Sequence, residues 1–277
     1  MVQCMEVLCI GNELLIGKTL NTNAQWLSKR ATAVGITVKR VTVVADEVEE
    51  IAAAVREALL RKPKFLIVTG GLGPTFDDKT LEGIAKALNR KVEINAKALQ
   101  MIKERYEAYA REKGVEKVEL TQPRIKMATI PEETEPVPNP VGTAPGVRAD
   151  LEETVLIALP GVPSEMEAIF EETVVPLLKQ ASAGIAFYEK SMYADKIMES
   201  TLAPLISKVM KANPGIYVKS HPRGEEDKPH IKIHFSIKAK DQKKSAKKLE
   251  KAIAQLSCLV EKSGGKAFSG AQDRDQV

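Results

Sequence analysis

Short apolar runs alternate with stretches of helical periodicity along the first two-thirds of the chain. Residues 7–10, 65–68 and 155–159 are apolar and lead into Gly11, Gly70–Gly71 or Pro160, and residues 38–44 are rich in β-branched side chains. Runs of this length bounded by glycine or proline predict buried strands. Between them, Ala24, Leu27, Ala31 and Val34 recur at helical spacing after Asn21, Thr22 and Asn23, which offer N-caps, until Gly35 supplies a stop. Residues 49–61, 81–88 and 95–113 also read as helices. A last helix starts at Pro163 and carries the apolar stripe Met166, Ile169, Phe170, Val174. Strands separated by helices imply βαβ units, hence an α/β unit whose mainly parallel sheet is covered on both faces in three layers.

From about residue 185 the pattern changes. Residues 188–193 predict a strand, and 196–211 a helix with a kink at Pro204. Residues 216–219 and 231–237 alternate like the two strands of a hairpin, and 242–263 form a Lys-rich amphipathic helix. The chain therefore divides into a first domain over residues 1–180, a smaller α+β domain over 186–265, and a flexible tail over 266–277.

Composition narrows the function classes. A length of 277 residues exceeds one ordinary domain, and 44% hydrophobic with 28% charged residues excludes a disordered chain. No run of eighteen apolar residues lacks a charge, so no membrane span is expected. Glu6 inside the first apolar run argues against a secretory leader. Scattered Cys4, Cys9 and Cys258 suit a reducing cytoplasm, and the protein is expected to be cytoplasmic. The net charge of +4 splits unevenly: residues 1–180 hold 23 Lys and Arg against 26 Asp and Glu, and residues 181–277 hold 18 against 11. The basic excess belongs to the second domain, where a solvated Lys-rich helix face explains it. Aromatics are 4% of the chain, which speaks against a stacking platform for nucleic acid.

The segment GNELLIGKT starting at Gly11 comes near a P-loop but has five residues between its glycines where that motif has four. Glu13, Asn23 and Asp46 remain candidates, because polar groups beyond a strand's carboxyl end face the ligand crevice of α/β folds. The segment TGGLGPTFDDKT at 69–80 is the strongest signal. The loop of Gly70, Gly71, Gly73, Pro74 and Thr75 would bring the backbone N–H groups of its non-proline residues up to a phosphate. The following helix, entered through Lys79 and Thr80, adds its N-terminal dipole. Asp77 and Asp78 beside an anion site point to a hard divalent cation, Mg²⁺, Mn²⁺ or Co²⁺, with potassium as a further candidate. Two more glycine–proline segments, holding Asn139, Gly142, Thr143, Ala144 and Gly146, and Pro160, Gly161, Pro163 and Glu165, complete the candidate set. Loops that follow parallel strands emerge on one sheet edge, so those after Gly11, Gly70 and Pro160 should converge. His230 and His234, four apart on a strand, lie roughly 13 Å from each other and cannot share a metal.

GNELLIGKTLNTN, TGGLGPTFDDKT, NPVGTAPG and LPGVPSEM, in this order between residues 11 and 166, resemble the N-terminal domain of the CinA family. That domain is similar to the MoaB/Mog molybdopterin-binding fold. Residues 186–265 are similar to the KH-like domain that follows it there, and the deamidase domain of bacterial members is not expected in this chain. The resemblance implies divalent-metal-dependent hydrolysis of ADP-ribose to AMP and ribose 5-phosphate, or of a related dinucleotide such as FAD. Asp77 and Asp78 would hold the metal and Glu13 would assist. The alternative it implies is a molybdopterin-binding protein of cofactor biosynthesis without hydrolase activity. Partners are then a small-molecule nucleotide and other copies of the chain, as a dimer or trimer, with neither membrane nor nucleic acid.

Overall fold

The structure, a computed structural model, describes residues 4–114, 119–222 and 230–268. The chain divides into two compact units, Met1–Ala183 and Gly184–Val277.

The first unit opens with β1 (Cys4–Ile10), a single helical turn α1 (Asn12–Leu15), α2 (Thr22–Ala33), β2 (Thr37–Val44), α3 (Val48–Leu60) and β3 (Phe65–Thr69). It continues through α4 (Thr80–Leu88), β4 (Val92–Ile94), α5 (Ala96–Lys113), α6 (Gln122–Lys126), β5 (Thr129–Pro131), β6 (Glu135–Val137), β7 (Gly146–Asp150) and β8 (Val155–Leu159). The helical segment after β8 is α7 (Pro163–Ile169), a π turn at Phe170–Val174 and α8 (Val175–Ser182). The main sheet has the order β2-β1-β3-β8-β7-β6. Its first four strands are parallel and β7 and β6 are added antiparallel, so the sheet is mainly parallel as its sequence implies. The short strands β4 and β5 form a separate antiparallel pair.

The period-2 alternation of the central strands sorts their side chains into two cores. Leu8, Ile10, Leu66, Val68, Leu156 and Ala158 pack under α3, α4 and α5. Met5, Val7, Cys9, Phe65, Ile67, Ile157 and Leu159 pack under α2, α7 and α8. Because both faces are buried, β1, β3 and β8 read as continuous apolar runs. The helices begin and end where their caps dictate. Asn21 accepts from the Ala24 N–H at 3.0 Å, and Asn95 accepts from Lys97 and Ala98. Asn89 and Gly114 end α4 and α5 in the left-handed region.

The second unit comprises β9 (Ala186–Asp195), α9 (Glu199–Ala212), β10 (Tyr217–Pro222), β11 (His230–Ala239), α10 (Gln242–Lys262) and β12 (Lys266–Phe268). The four strands form an antiparallel sheet in the order β10-β11-β9-β12. Element order βαββαβ with these pairings is the split βαβ, ferredoxin-like arrangement. The α+β character agrees with the sequence. No GXXG, the clamp by which a KH unit grips nucleic acid, occurs from Gly184 on. The helix α9 continues through Pro204. Two of its turns and α10 cover one sheet face, burying Leu202, Ile206, Leu249 and Leu256 against Ile231, Ile233 and Phe235. The tail expected to be flexible from residue 266 is corrected at its start. Residues 266–268 form β12, because they pair with the open edge of β9 and the Phe268 ring lies against Tyr193 at 5.8 Å. The rest of that tail, residues 269–277, lies outside the described residues.

Candidate functional site

The loops after β1, β3 and β8 meet at the carboxyl edge of the sheet around a crevice of about 250 Å³. The loops after Gly11, Gly70 and Pro160 therefore converge as their topology implies, with Gly11, Gly70 and Gly161 lining the crevice. Close packing of backbones sets the floor. Gly70 has φ +107, and a Cβ there would lie 2.2 Å from the Ile10 carbonyl oxygen. Its N–H donates to Leu159 O at 3.1 Å. One residue thus ties the ends of β1, β3 and β8 together, and only glycine fits.

Side chains lock the loops to each other. The buried Thr69 hydroxyl donates to Pro160 O at 2.9 Å, and Asn23 Nδ2 donates to Gly161 O at 2.8 Å and to Thr69 Oγ1 at 3.3 Å. Asn23 Oδ1 is buried without a hydrogen-bond partner among the described residues. Thr80, the first residue of α4, donates its hydroxyl to Gly70 O at 2.8 Å and its N–H to Gly71 O at 3.2 Å. The glycine turn is thereby held against the N-terminus of a nine-residue helix whose dipole favours an anion. Glu13, Asp46 and Asp77 bring three carboxylates to the walls. Asp46 Oδ2 also accepts the Asn12 N–H at 2.7 Å, which anchors the loop after β1 to the loop after β2.

The tip of the glycine loop is a compact acidic turn. Asp78 Oδ2 accepts from the Thr75 N–H at 2.8 Å and from its hydroxyl at 2.5 Å, and Asp77 Oδ1 also meets that hydroxyl. Two carboxylates therefore converge on one hydroxyl, which carries one proton. The hydrogen bond with Thr75, its own backbone N–H and the charges of Lys126 and Lys79 hold the Asp77 carboxyl below the usual carboxylate range. In this state the Thr75 N–H is committed within the turn. Gly73 sits against Asp78, and Pro74 and Thr75 are exposed. Lys79 takes the N-cap position of α4, its carbonyl accepting from the Gly83 N–H. The two aspartates border different cavities: Asp77 lines the crevice, whereas Asp78 lines a second cavity of about 260 Å³ with Glu82 and Lys126. Among the described residues, no group of three or more His, Cys, Asp or Glu is placed to hold a metal ion.

The family of this first unit follows from comparison with known proteins. Residues 6–180 match the family model described as "Probable molybdopterin binding domain". The chain belongs to that family. Whole-length relatives include a protein of Sulfurisphaera tokodaii, 41% identical over 261 residues, with 94% of this chain and 96% of the relative covered. A protein of Caldivirga maquilingensis is 46% identical over 252 residues, covering 90% and 94%. Among solved structures, the CinA protein of Thermoplasma acidophilum is 41% identical, with a TM-score of 0.57, covering 63% of this chain and 98% of its own. The first unit is thus a molybdopterin-binding-type, CinA-like domain.

Within this family domain, the segment holding Asn139, Gly142 and Thr143 lies elsewhere. These residues line a third cavity of about 270 Å³ against Met101 and Arg105 of α5. They connect to the crevice region through Glu165 of α7, whose Oε2 accepts from Asn139 Nδ2 at 2.7 Å. Asn139 also caps its own loop, accepting from Gly142 N at 2.7 Å and donating to Ala144 O at 2.8 Å. Ala144 and Gly146 are buried at the start of β7, and Pro163 sits in the first turn of α7 and on the crevice wall. Sequence reasoning passed over three contributors. Thr69 was legible as the last residue before the paired glycines. Lys126, which donates to the Thr75 carbonyl, and Arg105, which donates to Gly142 O at 2.9 Å, carry no local signal, because only the fold brings them near.

Proposed function

We propose that the crevice binds a phosphorylated pterin of the molybdopterin class. One observation carries this reading: a single crevice joins a glycine turn at a helix N-terminus to a wall bearing Glu13, Asp46 and Asp77. The turn and dipole suit a phosphate. The carboxylates suit the guanidine-like amino edge of a pterin, which presents two parallel N–H donors that one carboxylate accepts in bidentate fashion. The unpaired Asn23 Oδ1 offers a further acceptor to a ring N–H. The match of residues 6–180 to the molybdopterin-binding family supports the same ligand class. Purified protein, freed of bound ligand, should take up about one equivalent of pterin per chain in equilibrium dialysis. No saturable uptake would sink the proposal.

The acidic turn favours a second reading, metal-dependent hydrolysis of a diphosphate such as that of ADP-ribose or FAD. Two carboxylates on one hydroxyl present a surplus of hard oxygen acceptors, which suits Mg²⁺, Mn²⁺ or Co²⁺. Asp77, Asp78 and Thr75 would hold such an ion, whose chemistry is to neutralise phosphate charge and make bound water more acidic. The chain's own part is to set phosphate oxygens against α4 and to fix the Asp77 and Asp78 carboxylates through Thr75. AMP released from ADP-ribose with one of these metals, and abolished in Asp78→Ala, would support hydrolysis. Its absence with all three would exclude it.

A further inference from the structure

We propose that the outward face of the second unit's sheet binds single-stranded nucleic acid. Scarce aromatics argue against this in the sequence, but the fold gathers the relevant side chains on one surface. Alternation along β11 buries Ile231, Ile233, Phe235 and Ile237 under the helices. His230, Lys232, His234 and Lys238 are therefore turned to the opposite face. The pairings Lys219↔His234 and His221↔Lys232 put β10 residues of like character beside them. The pairings Lys266↔Asp195 and Phe268↔Tyr193 do the same at β12. All three histidines of the chain and four lysines thus occupy one sheet face, which also carries two carboxylates, Glu189 opposite Ser236 and Asp195 opposite His230.

The rings on that face are arranged in nearly parallel layers. Tyr193 forms the floor, with His230 at 5.2 Å and 18° and Phe268 at 5.8 Å and 12°. His230 and Phe268 are themselves 6.1 Å apart. Tyr193 is buried beneath them, so His230 and Phe268 present the ring surface, and both are partly exposed. Asp195 Oδ1 meets His230 Nδ1 at 2.6 Å and fixes that ring's orientation. Lys232 Nζ lies 5.8 Å from the Tyr193 ring centre, and His221 meets His234 edge to face at 5.1 Å. Flat rings at one end of the antiparallel sheet, where β11, β9 and the edge strand β12 meet, with Lys232 and Lys266 beside them, complement unpaired bases and a phosphate backbone together. A duplex offers no base faces, and a membrane surface or acidic protein would make no use of parallel rings. Charge complementarity and ring geometry therefore select a single strand. The proposal is independent of the ligand assigned to the first unit.

The test is fluorescence anisotropy of the full chain with labelled single-stranded RNA and DNA of about 12 nucleotides, and with the matching duplex. Single-strand binding should exceed duplex binding by about tenfold. Its logarithm should fall with log salt at a slope of about −2 to −3, as about four phosphate contacts imply. The Lys219→Glu/Lys232→Glu/Lys266→Glu variant should lose about tenfold or more, and Phe268→Ala about fivefold. Lys243→Glu/Lys247→Glu/Lys251→Glu on α10, the element covering the other face, should leave binding unchanged. No single-strand binding, equal affinity for duplex, or loss confined to the α10 variant would overturn the proposal. Should the sheet variants fail to fold, ultraviolet crosslinking of the unaltered protein decides: peptides from β9–β12 support the face, and peptides from α10 refute it.

Discussion

Gly70→Ala should destabilise the first unit far more than an ordinary glycine replacement. The added Cβ meets Ile10 O at 2.2 Å, a backbone atom of the neighbouring strand that cannot rotate away. Relief requires the carboxyl ends of β1 and β3 to part by about 1 Å, an overpacking strain of roughly 1–3 kcal/mol. The backbone at φ +107 adds a penalty of roughly 1–2 kcal/mol for an L-residue. Together these give roughly 2–5 kcal/mol, or a midpoint lower by about 4–20 °C for a unit of this size. Gly17→Ala isolates the second contribution, because Gly17 has φ +71 and nothing within 4 Å of the added carbon. Its net effect should be about 1 kcal/mol, after the unfolded chain's loss of freedom is offset. Trp26, the single tryptophan, packs edge-on against Phe170 at 5.5 Å, so its fluorescence reports the first unit alone. A Gly70→Ala variant within 1 kcal/mol of Gly17→Ala would refute the reasoning that this turn is fixed by backbone contact.

Other substitutions probe the supports of the site. Thr69→Val removes the donor to Pro160 O and the acceptor for Asn23, so urea unfolding followed at Trp26 should show a loss of roughly 1–3 kcal/mol. Asn139→Ala unpairs Glu165 and the Val141 and Gly142 N–H groups and should cost about 1–3 kcal/mol in the same assay. Arg30, hydrogen-bonded to Glu171, holds that carboxyl below its ordinary value of 4.5. Its stabilising effect is therefore full above the unfolded value and fades as pH falls through the folded one. Glu171→Gln should lower stability at pH 7 by under about 1 kcal/mol, since the pair is partly exposed, and the difference should shrink steadily as acid titration takes the pH below the ordinary value of 4.5 and through the lowered folded one.

Much of this architecture is legible in the chain because periodicity and punctuation agree. The buried runs of β1, β3 and β8, the caps Asn21 and Asn95, and the stripe from Met166 to Val174 each announce their element locally. The convergence of Gly11, Gly70 and Gly161 is also foreseeable, since parallel strands send their loops to one edge. What escapes is non-local. Lys126 reaches the glycine loop from 51 residues away, and Arg105 reaches Val141 and Gly142 across a helix. The separation of Asp77 and Asp78 into two cavities depends on how the turn closes on Thr75, which adjacency in sequence hides. The ring layer of the second unit is the clearest case. Tyr193, His230 and Phe268 are far apart in the chain, so a low aromatic content says nothing about their gathering.

Equilibrium dialysis of ligand-free protein against molybdopterin decides the ligand of the crevice, the bound pterin being read by its fluorescence after oxidation. Saturable binding of about one equivalent per chain is expected, weakened at least about tenfold in Asp46→Ala, which removes a carboxylate from the crevice wall. Pyrophosphate should compete for the phosphate end at the start of α4. Absence of saturable binding, accompanied by AMP release from ADP-ribose in the presence of Mg²⁺, Mn²⁺ or Co²⁺, would contradict pterin binding.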